Sequence, residues 1–518
     1  MNPEALASAA ESSKPGATAG ASDPTGRTYL NRIGGSWIPA RSGKTFENRN
    51  PARPSDLIGI FPASSAQDVE DAVAAASKAF ATWRLVPAPR RAEIVLRAAE
   101  LLRERKEILA RAMTREMGKV LAETRGDVQE AIDMAYYIGA EGRRLFGVTV
   151  PSELPNKFAM SIRQPLGVCG LITPWNFPMA IPSWKIFPAL VAGNTVVIKP
   201  ATDTPASAHH LVETLVDAGL PEGVVNIVHG GGSAVGVPLV QHPDVKMISF
   251  TGSSEVGKDI AARCAPTLKR LSLELGGKNA QIVMDDADLD LAIEGVLWGA
   301  FGTTGQRCTA TSRLIVTKGV RDALVPRLVD KAMKLRLGDG LEPGSEVGPV
   351  VNTKAREGIH GYVEIGKKEG AKLLCGGSFA EEGTLRDGSY YQPTIFDQVT
   401  PAMRIAREEI FGPVLSVLTV SSFEEAIRVL NDTPYGLSSS IYTRDVNQAM
   451  RAVRDIEAGI TYVNGPTIGA EVQLPFGGVK ETGNGHREGG PTVIDAFTEW
   501  KSVYIDYSGK LQKAQIDR

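Results

Sequence analysis

The sequence predicts an α/β protein built on buried parallel strands, and three observations carry that prediction. The apolar runs at 168–172, 195–198, 224–228 and 247–250 alternate with helix-length segments that end in Gly or Pro. Short, fully apolar strands spaced by helices are the pattern of parallel βαβ units covered on both faces. A second stretch of the same texture runs from about 277 to 465, and 518 residues exceed what one core usually organises, so two or three domains are expected.

Taken in order, residues 1–27 are rich in Ala, Ser, Gly, Pro and Thr and read as a disordered tail. From Tyr29 to Pro62, short stretches broken by Gly and Pro read as strands at a domain edge. Three helical stretches follow. The middle one is expected from Pro89, a good first-turn residue, to Met117, with Gly118 placed to end it. Val95, Ala98, Ala99 and Leu102 repeat there at helical spacing among Arg and Glu, the mark of an amphipathic helix. Between 147 and 164, Pro151 and Pro155 sit among β-formers, and a strand pair leaving the domain is expected. At the far end, 497–507 (FTEWKSVYIDY) alternates like an exposed strand and would need covering by another chain.

Composition excludes several classes. A formal charge of −2 gives no footprint for nucleic acid or an anionic membrane. No apolar run is long enough to span a bilayer. Cys169, Cys264, Cys308 and Cys375 are far apart without CxxC spacing, which argues against disulfides or zinc and fits a reducing, cytoplasmic compartment. The acidic run Asp285, Asp286, Asp288, Asp290 starts like a calcium loop, but Leu291 stands where its turn glycine belongs and Leu297 where its closing glutamate belongs. It reads as a charged helix N-terminus, and no metal is expected.

Four stretches carry chemistry. In 301–313, FGTTGQRCTATSR, Cys308 lies among small polar residues beside Arg307; it is either an inert core thiol or a nucleophile whose thiolate is favoured by positive charge and backbone N–H groups. In LSLELGGKN, Glu274 ends an apolar strand, either satisfied by a local partner or a general base raised by burial. In GVCGLITPWNFP, Asn176 follows a strand, either shaping a turn or offering its amide to an oxyanion. The segment from Gly252 to Lys258 nearly spells a P-loop, but Asp259 replaces the magnesium-holding hydroxyl, leaving a helix N-terminus at Gly252 and Ser253 that can meet one phosphate.

Seven motifs in this order, GLITPWNFP, VIKPA, FTGSSEVGK, LELGGKN, GQRC, EEIFGPV and PFGGVKETGNG, resemble the aldehyde dehydrogenase superfamily over nearly everything from Tyr29 to Tyr507. The resemblance implies an aldehyde dehydrogenase-like α/β fold: a Rossmann-type parallel-sheet cofactor domain (28–145 and 166–276), an α/β catalytic domain (277–475), and a small β oligomerisation arm with the C-terminal strand (146–165 and 476–518). It implies oxidation of an aldehyde to the acid with NAD or NADP through a cysteine hemithioacetal and thioester, with Cys308 as nucleophile, Glu274 as base, Asn176 in the oxyanion hole and Lys185 on a proton path. Cofactor contacts are implied at Ile172, Thr173, Pro174, Trp175, Lys199, Ala201, Thr202, Gly232, Phe250, Gly252, Ser253, Val256, Leu275, Gly276, Glu409 and Phe411. The presence of Glu274 favours hydrolysis over transfer to coenzyme A.

Two departures stand out. Thr202 occupies the place where many NAD-preferring members carry a glutamate, so NADP is expected to be accepted alongside NAD. His486 interrupts the tail motif GNGHREGG. The substrate tunnel is expected from Phe177, Ile181, Trp184, Arg307, Thr309, Ile468 and Phe476, with Glu471 of the 465–473 loop facing a cationic group or solvent. The chain looks closest to semialdehyde-type members, including α-ketoglutaric semialdehyde dehydrogenases, and a homodimer or homotetramer is implied. A cysteine hydrolase without nicotinamide and a non-catalytic binding protein of the same fold are the rival readings.

Overall fold

The computed structural model describes residues 26–516. Most of the tail expected at 1–27 lies outside the described residues, but Arg27 does not belong to it. Arg27 opens the strand Arg27–Thr28, which pairs in parallel with Gly59 and Ile60 of Arg53–Pro62.

The first large sheet runs in the order Arg270–Glu274, Val245–Thr251, Val168–Ile172, Thr195–Lys199, Val225–Ile227, Asn31–Ile33, Ser36–Ile38. Its first five strands are mutually parallel, and the two N-terminal strands close one edge antiparallel. Every residue of Thr195–Lys199 is buried. Val196 and Ile198 pack into the core on one face and Val197 into the core on the other, because successive strand side chains point to opposite faces. Helices cover both faces. Ala88–Met117 is the expected amphipathic helix, and Gly118 ends it with φ 93°.

The chain order reverses between Val168–Ile172 and Val245–Thr251, which are neighbours although two strands intervene in sequence. Such a switch point leaves a crevice beyond the carboxyl ends of the strands, where ligands of open α/β sheets bind. Pro174, Trp175 and Asn176 leave one of these ends, and Gly252 and Ser253 the other.

The second sheet runs Lys372–Cys375, Thr394–Asp397, Val414–Val420, Thr311–Thr317, Asn279–Val283, Ser438–Tyr442, Ile460–Val463, parallel except for its first strand. The turn after Glu274 carries the chain directly from the first sheet to the second. The acidic run lies here as helix-capping chemistry: Asp288 accepts from the N–H groups of Asp290 and Leu291, both at 3.2 Å.

Thr149–Pro151, Lys157–Pro165 and Thr498–Asp506 form a separate antiparallel sheet, with Thr498 opposite Pro165 and Asp506 opposite Lys157. Trp500, Tyr504 and Ile505 on it are exposed. Among the described residues no helix is long and apolar enough to cross a membrane.

Candidate active site

Cys308 sits on a turn that the sequence alone would not favour. Helix Leu289–Phe301 ends at Gly302, and Thr303, Thr304 and Gly305 then adopt φ of 52°, 57° and 70°. Two β-branched residues in the left-handed region are strained and persist only where their surroundings hold them. Thr303 N–H donates to Glu123 Oε1 at 2.6 Å, and the Thr304 hydroxyl donates to the Gly348 carbonyl at 2.9 Å. Gln306 Oε1 accepts from Val351 N–H at 2.9 Å. A Cβ on Gly305 would stand 2.2 Å from the Gly412 carbonyl oxygen, so only glycine fits. Asn279 Nδ2 anchors the Cys308 carbonyl at 2.7 Å.

The thiol thus lies where two cavities meet, a tunnel on one side and a cleft on the other. Burial pushes it up to about 12, with the carboxyls of Glu274 and Glu409 adding to the effect. Positive charge from Arg307 was expected to do the opposite. Arg307 turns elsewhere: Nε donates to Thr303 Oγ1 at 2.9 Å, Nη2 faces Glu123 Oε1 at 3.4 Å, and the guanidinium lies 5.3 Å from the Phe177 ring centroid and 5.1 Å from that of Trp298. Neighbours in sequence do not share a face on this turn. The thiol therefore needs a base.

Glu274 is placed to be one. It ends its strand paired with Thr251, is buried, and has no hydrogen-bond partner for either carboxylate oxygen. Burial, then the Glu488 carboxylate, raise it well above the ordinary carboxylic range. Glu488 forms a buried ion pair with Lys185, whose Nζ also donates to Ser249 Oγ at 2.9 Å. Glu488 is held beside the tunnel by backbone bonds with Phe476 at 2.5 and 2.7 Å. Lys185 itself does not line the tunnel; it reaches it through Glu488.

Asn176 follows the strand end at Ile172. Its Nδ2 donates to the Gln306 carbonyl at 3.1 Å. One of its two N–H groups thereby fixes the amide, and the other is available for an oxyanion beside Cys308.

The tunnel wall contains Phe177, Ile181, Trp184, Arg307, Thr309 and Phe476, as expected. Ile468 is a correction. It is buried and does not line the tunnel; Gly469 and Ala470 make the wall there, because the loop turns at Gly469 with φ 116°. Glu471 is exposed.

The cleft is lined by Pro174, Trp175, Asn176, Gly252, Ser253, Leu275, Gly276, Glu409 and Phe411, together with Thr251 and Cys308. Trp175 and Phe411 meet edge to face, with centroids 5.3 Å apart. A Cβ on Gly276 would lie 2.4 Å from Glu409 Oε2, so the glycine makes room for that carboxylate. Glu409 Oε1 accepts from Gly277 N–H at 3.0 Å, and burial pushes the group up to about 7. Ser253 caps helix Ser254–Cys264 through its own hydroxyl, which accepts from Val256 N–H at 3.4 Å. Ile172, Thr173 and Phe250 are buried at the strand ends beneath. Lys199 ends the adjacent strand; a Cβ on Gly236 would lie 3.6 Å from its Cδ, so the Gly232–Gly236 turn passes over it. Thr202 and Val256 are exposed and Ala201 half-buried, and none of the three lines this cleft.

These features fit a nicotinamide dinucleotide. The helix N-terminus offers N–H groups to phosphate, and Glu409 has an oxygen free for a ribose hydroxyl. The aromatic pair walls a flat ring beside Cys308.

Four residues escaped the sequence reading. Glu488 stands in the quoted GNGHREGG stretch, but nothing in spacing links it to Lys185. Glu130 lines the tunnel from the middle of helix Leu121–Glu141. Lys119 and Asp127 form a fully buried ion pair at 2.6 Å. Surface-type letters in an amphipathic stretch give no sign of burial. His486 is half-buried, facing Arg270 and Asp495.

The profile of the aldehyde dehydrogenase family matches residues 37–503. The chain is 43% identical over 478 residues to the alpha-ketoglutaric semialdehyde dehydrogenase of Bacillus subtilis, covering 92% of this chain and 98% of that protein. It is 40% identical over 473 residues to the NADP(+) succinate-semialdehyde dehydrogenase of Escherichia coli, covering 91% of this chain and 97% of that protein. The crystal structure of betaine aldehyde dehydrogenase from Staphylococcus aureus in complex with NAD+ superposes with a TM-score of 0.91 at 33% identity, covering 93% of this chain and 95% of that one. With the profile spanning most of the chain and a thiol, a buried carboxyl and an amide converging beside a dinucleotide-shaped cleft, this chain belongs to the aldehyde dehydrogenase family.

Proposed function

We propose that this enzyme oxidises a short aldehyde with an anionic far end to the carboxylic acid, using NAD+ or NADP+. Arg307 carries the substrate part of this reading: it is the one cationic side chain on the tunnel wall among the described residues. The Bacillus subtilis and Escherichia coli relatives are named for semialdehydes, whose second terminus is a carboxylate. α-Ketoglutaric semialdehyde is the foremost candidate.

Glu274 takes the Cys308 proton, and the thiolate adds to the aldehyde carbon. The oxygen that becomes anionic is met by the Asn176 amide and the Cys308 N–H. A nicotinamide bound in the cleft supplies the hydride acceptor. Once that first proton has passed out through Glu488 and Lys185, Glu274 removes a second from water as that water attacks the thioester, and returns it to the departing Cys308 sulfur, releasing acid and restoring the thiol. In the cleft, Glu409 and Phe411 hold the nicotinamide ribose and ring, Ser253 a phosphate, and Lys199 the adenosine ribose. Burial lowers Lys199 to about 8, which leaves it mostly charged near neutrality. Thr202 offers no carboxylate to repel a 2′-phosphate, which supports use of NADP as well.

The cofactor domain is assigned to 28–145 and 166–276, the catalytic domain to 277–475, and the arm to 146–165 with 476–518. The exposed aromatic strand Thr498–Asp506 supports a homodimer or homotetramer through that arm. Four free cysteines support a reducing compartment such as the cytoplasm.

The test is reduced-nicotinamide absorbance with NAD and NADP separately, over aliphatic, aromatic, amino-aldehyde and semialdehyde substrates, with Cys308→Ala as control. Highest kcat/KM on a semialdehyde, lost in the variant, is expected. Faster turnover of neutral or cationic aldehydes removes the substrate assignment.

A further inference from the structure

Four charged side chains line the tunnel that opens onto Cys308: Glu130, Glu274, Arg307 and Glu488. Two are accounted for, since Glu274 faces the thiol and Glu488 is paired with Lys185. Glu130 and Arg307 are left facing the substrate path. The Glu130 carboxyl has neither a hydrogen bond nor an ion pair within 4 Å to any described residue, although it projects from helix Leu121–Glu141 into a largely apolar channel. An uncompensated carboxylate at such a place is costly unless it is neutral or meets a ligand.

We propose that Glu130 is a specificity-determining residue, acting with Arg307 on the far, oxygen-bearing end of an anionic aldehyde; this rests on the substrate reading above. Arg307 supplies the charge. Its Nε and Nη2 are turned to Thr303 and Glu123, which leaves Nη1 for a carboxylate oxygen. Glu130 supplies a hydrogen bond from its protonated carboxyl. Burial pushes that group up to about 8; Asp127 and Asp133 on its own helix raise it further, and Lys119 and Arg307 from facing elements draw it back. Glu274, Glu488 and the Cys308 thiol complete the ionisable lining. At neutral pH the neutral form therefore predominates, and a carboxylic O–H is a donor suited to a carboxylate or keto oxygen. Above that range the same group becomes an anion beside an anionic substrate and repels it. A neutral aldehyde of equal length has nothing for either residue to select.

The experiment compares wild type, Glu130→Gln and Glu130→Ala for KM on a five-carbon 2-oxo-semialdehyde and on pentanal, across about pH 6.5 to 9. In wild type, the semialdehyde KM relative to the pentanal KM is expected to climb as pH passes about 8. Glu130→Gln keeps an N–H donor and cannot ionise, so that climb is expected to vanish while the low KM stays. Glu130→Ala is expected to raise the semialdehyde KM about tenfold or more at the lower pH and to flatten its pH course. An unchanged pentanal KM in both variants reports an intact tunnel. A semialdehyde KM and pH course unchanged in both variants overturns the assignment of Glu130, as does a pentanal KM that moves in parallel. A wild type that treats the two aldehydes alike overturns the substrate reading itself, and so separates the two failures.

Discussion

The ammonium of Lys119 donates to the main-chain carbonyl of Asn176 at 2.9 Å, and the same nitrogen closes a buried ion pair with Asp127 at 2.6 Å. Asp127 in turn accepts from Ala180 N–H at 2.8 Å, at the start of the helix that follows. Two charged side chains from the helical layer thus clamp both ends of the loop that aims the Asn176 amide at Cys308. The Lys119 nitrogen also lies 4.0 Å from the Phe177 ring centroid, so it braces the tunnel wall as well.

Asp127→Ala strips Lys119 of its counter-charge and is expected to cost about 3–5 kcal/mol of stability. Melting temperature and kcat should fall together. Asn176→Ala is the contrasting variant: kcat should drop by roughly 10²–10³ while the melting temperature stays near wild type. A loss of activity under threefold for Asn176→Ala removes the oxyanion assignment.

Glu274 acts as a base only when ionised, and its folded pKa is raised well above the ordinary value by burial and by Glu488. The ionised fraction grows as pH rises through that raised value, so wild-type turnover should go on increasing with pH above the ordinary carboxylate range. Rapid-mixing experiments on Glu274→Gln should show a slowed burst of reduced nicotinamide, little steady turnover, and no such increase. Steady turnover near wild type would end the role given to Glu274.

Thr202→Glu should lower the NADP/NAD ratio of kcat/KM, because a carboxylate there repels a 2′-phosphate and can bond two ribose hydroxyls instead. Melting temperature should barely move, since Thr202 is exposed. A ratio that stays put would place the adenosine ribose elsewhere than beside Thr202.

Much of the site was readable because its residues lie in short motifs at strand ends. Glu274 and Asn176 each follow an apolar run, and a chain leaving a parallel strand points its next residues at the crevice. The cleft-lining glycines were legible for the same reason. Ile468 was misplaced because an apolar letter in a loop does not say which way it points; here it packs inward and the backbone of Gly469 and Ala470 forms the wall. Glu130 and Lys119 were invisible because charged letters on a helix, or in the short link between two helices, read as solvent-facing. The burial of Lys119 and the turn of Glu130 into the tunnel depend on a second layer that periodicity does not describe.

By itself the sequence determined the α/β class and marked Cys308, Glu274 and Asn176 as candidates. The class follows from local rules, since apolar runs make buried strands and glycine ends helices, while the candidates' roles came with the resemblance of the motifs around them. Only the tertiary structure decided the electrostatics. Arg307 turns away from Cys308, whose thiol is raised rather than lowered, and burial, joined by Glu488 more than two hundred residues away in the chain, raises the proton affinity of Glu274. Charge acts through space at a few ångströms, and a linear chain does not encode which distant groups folding will bring within that range.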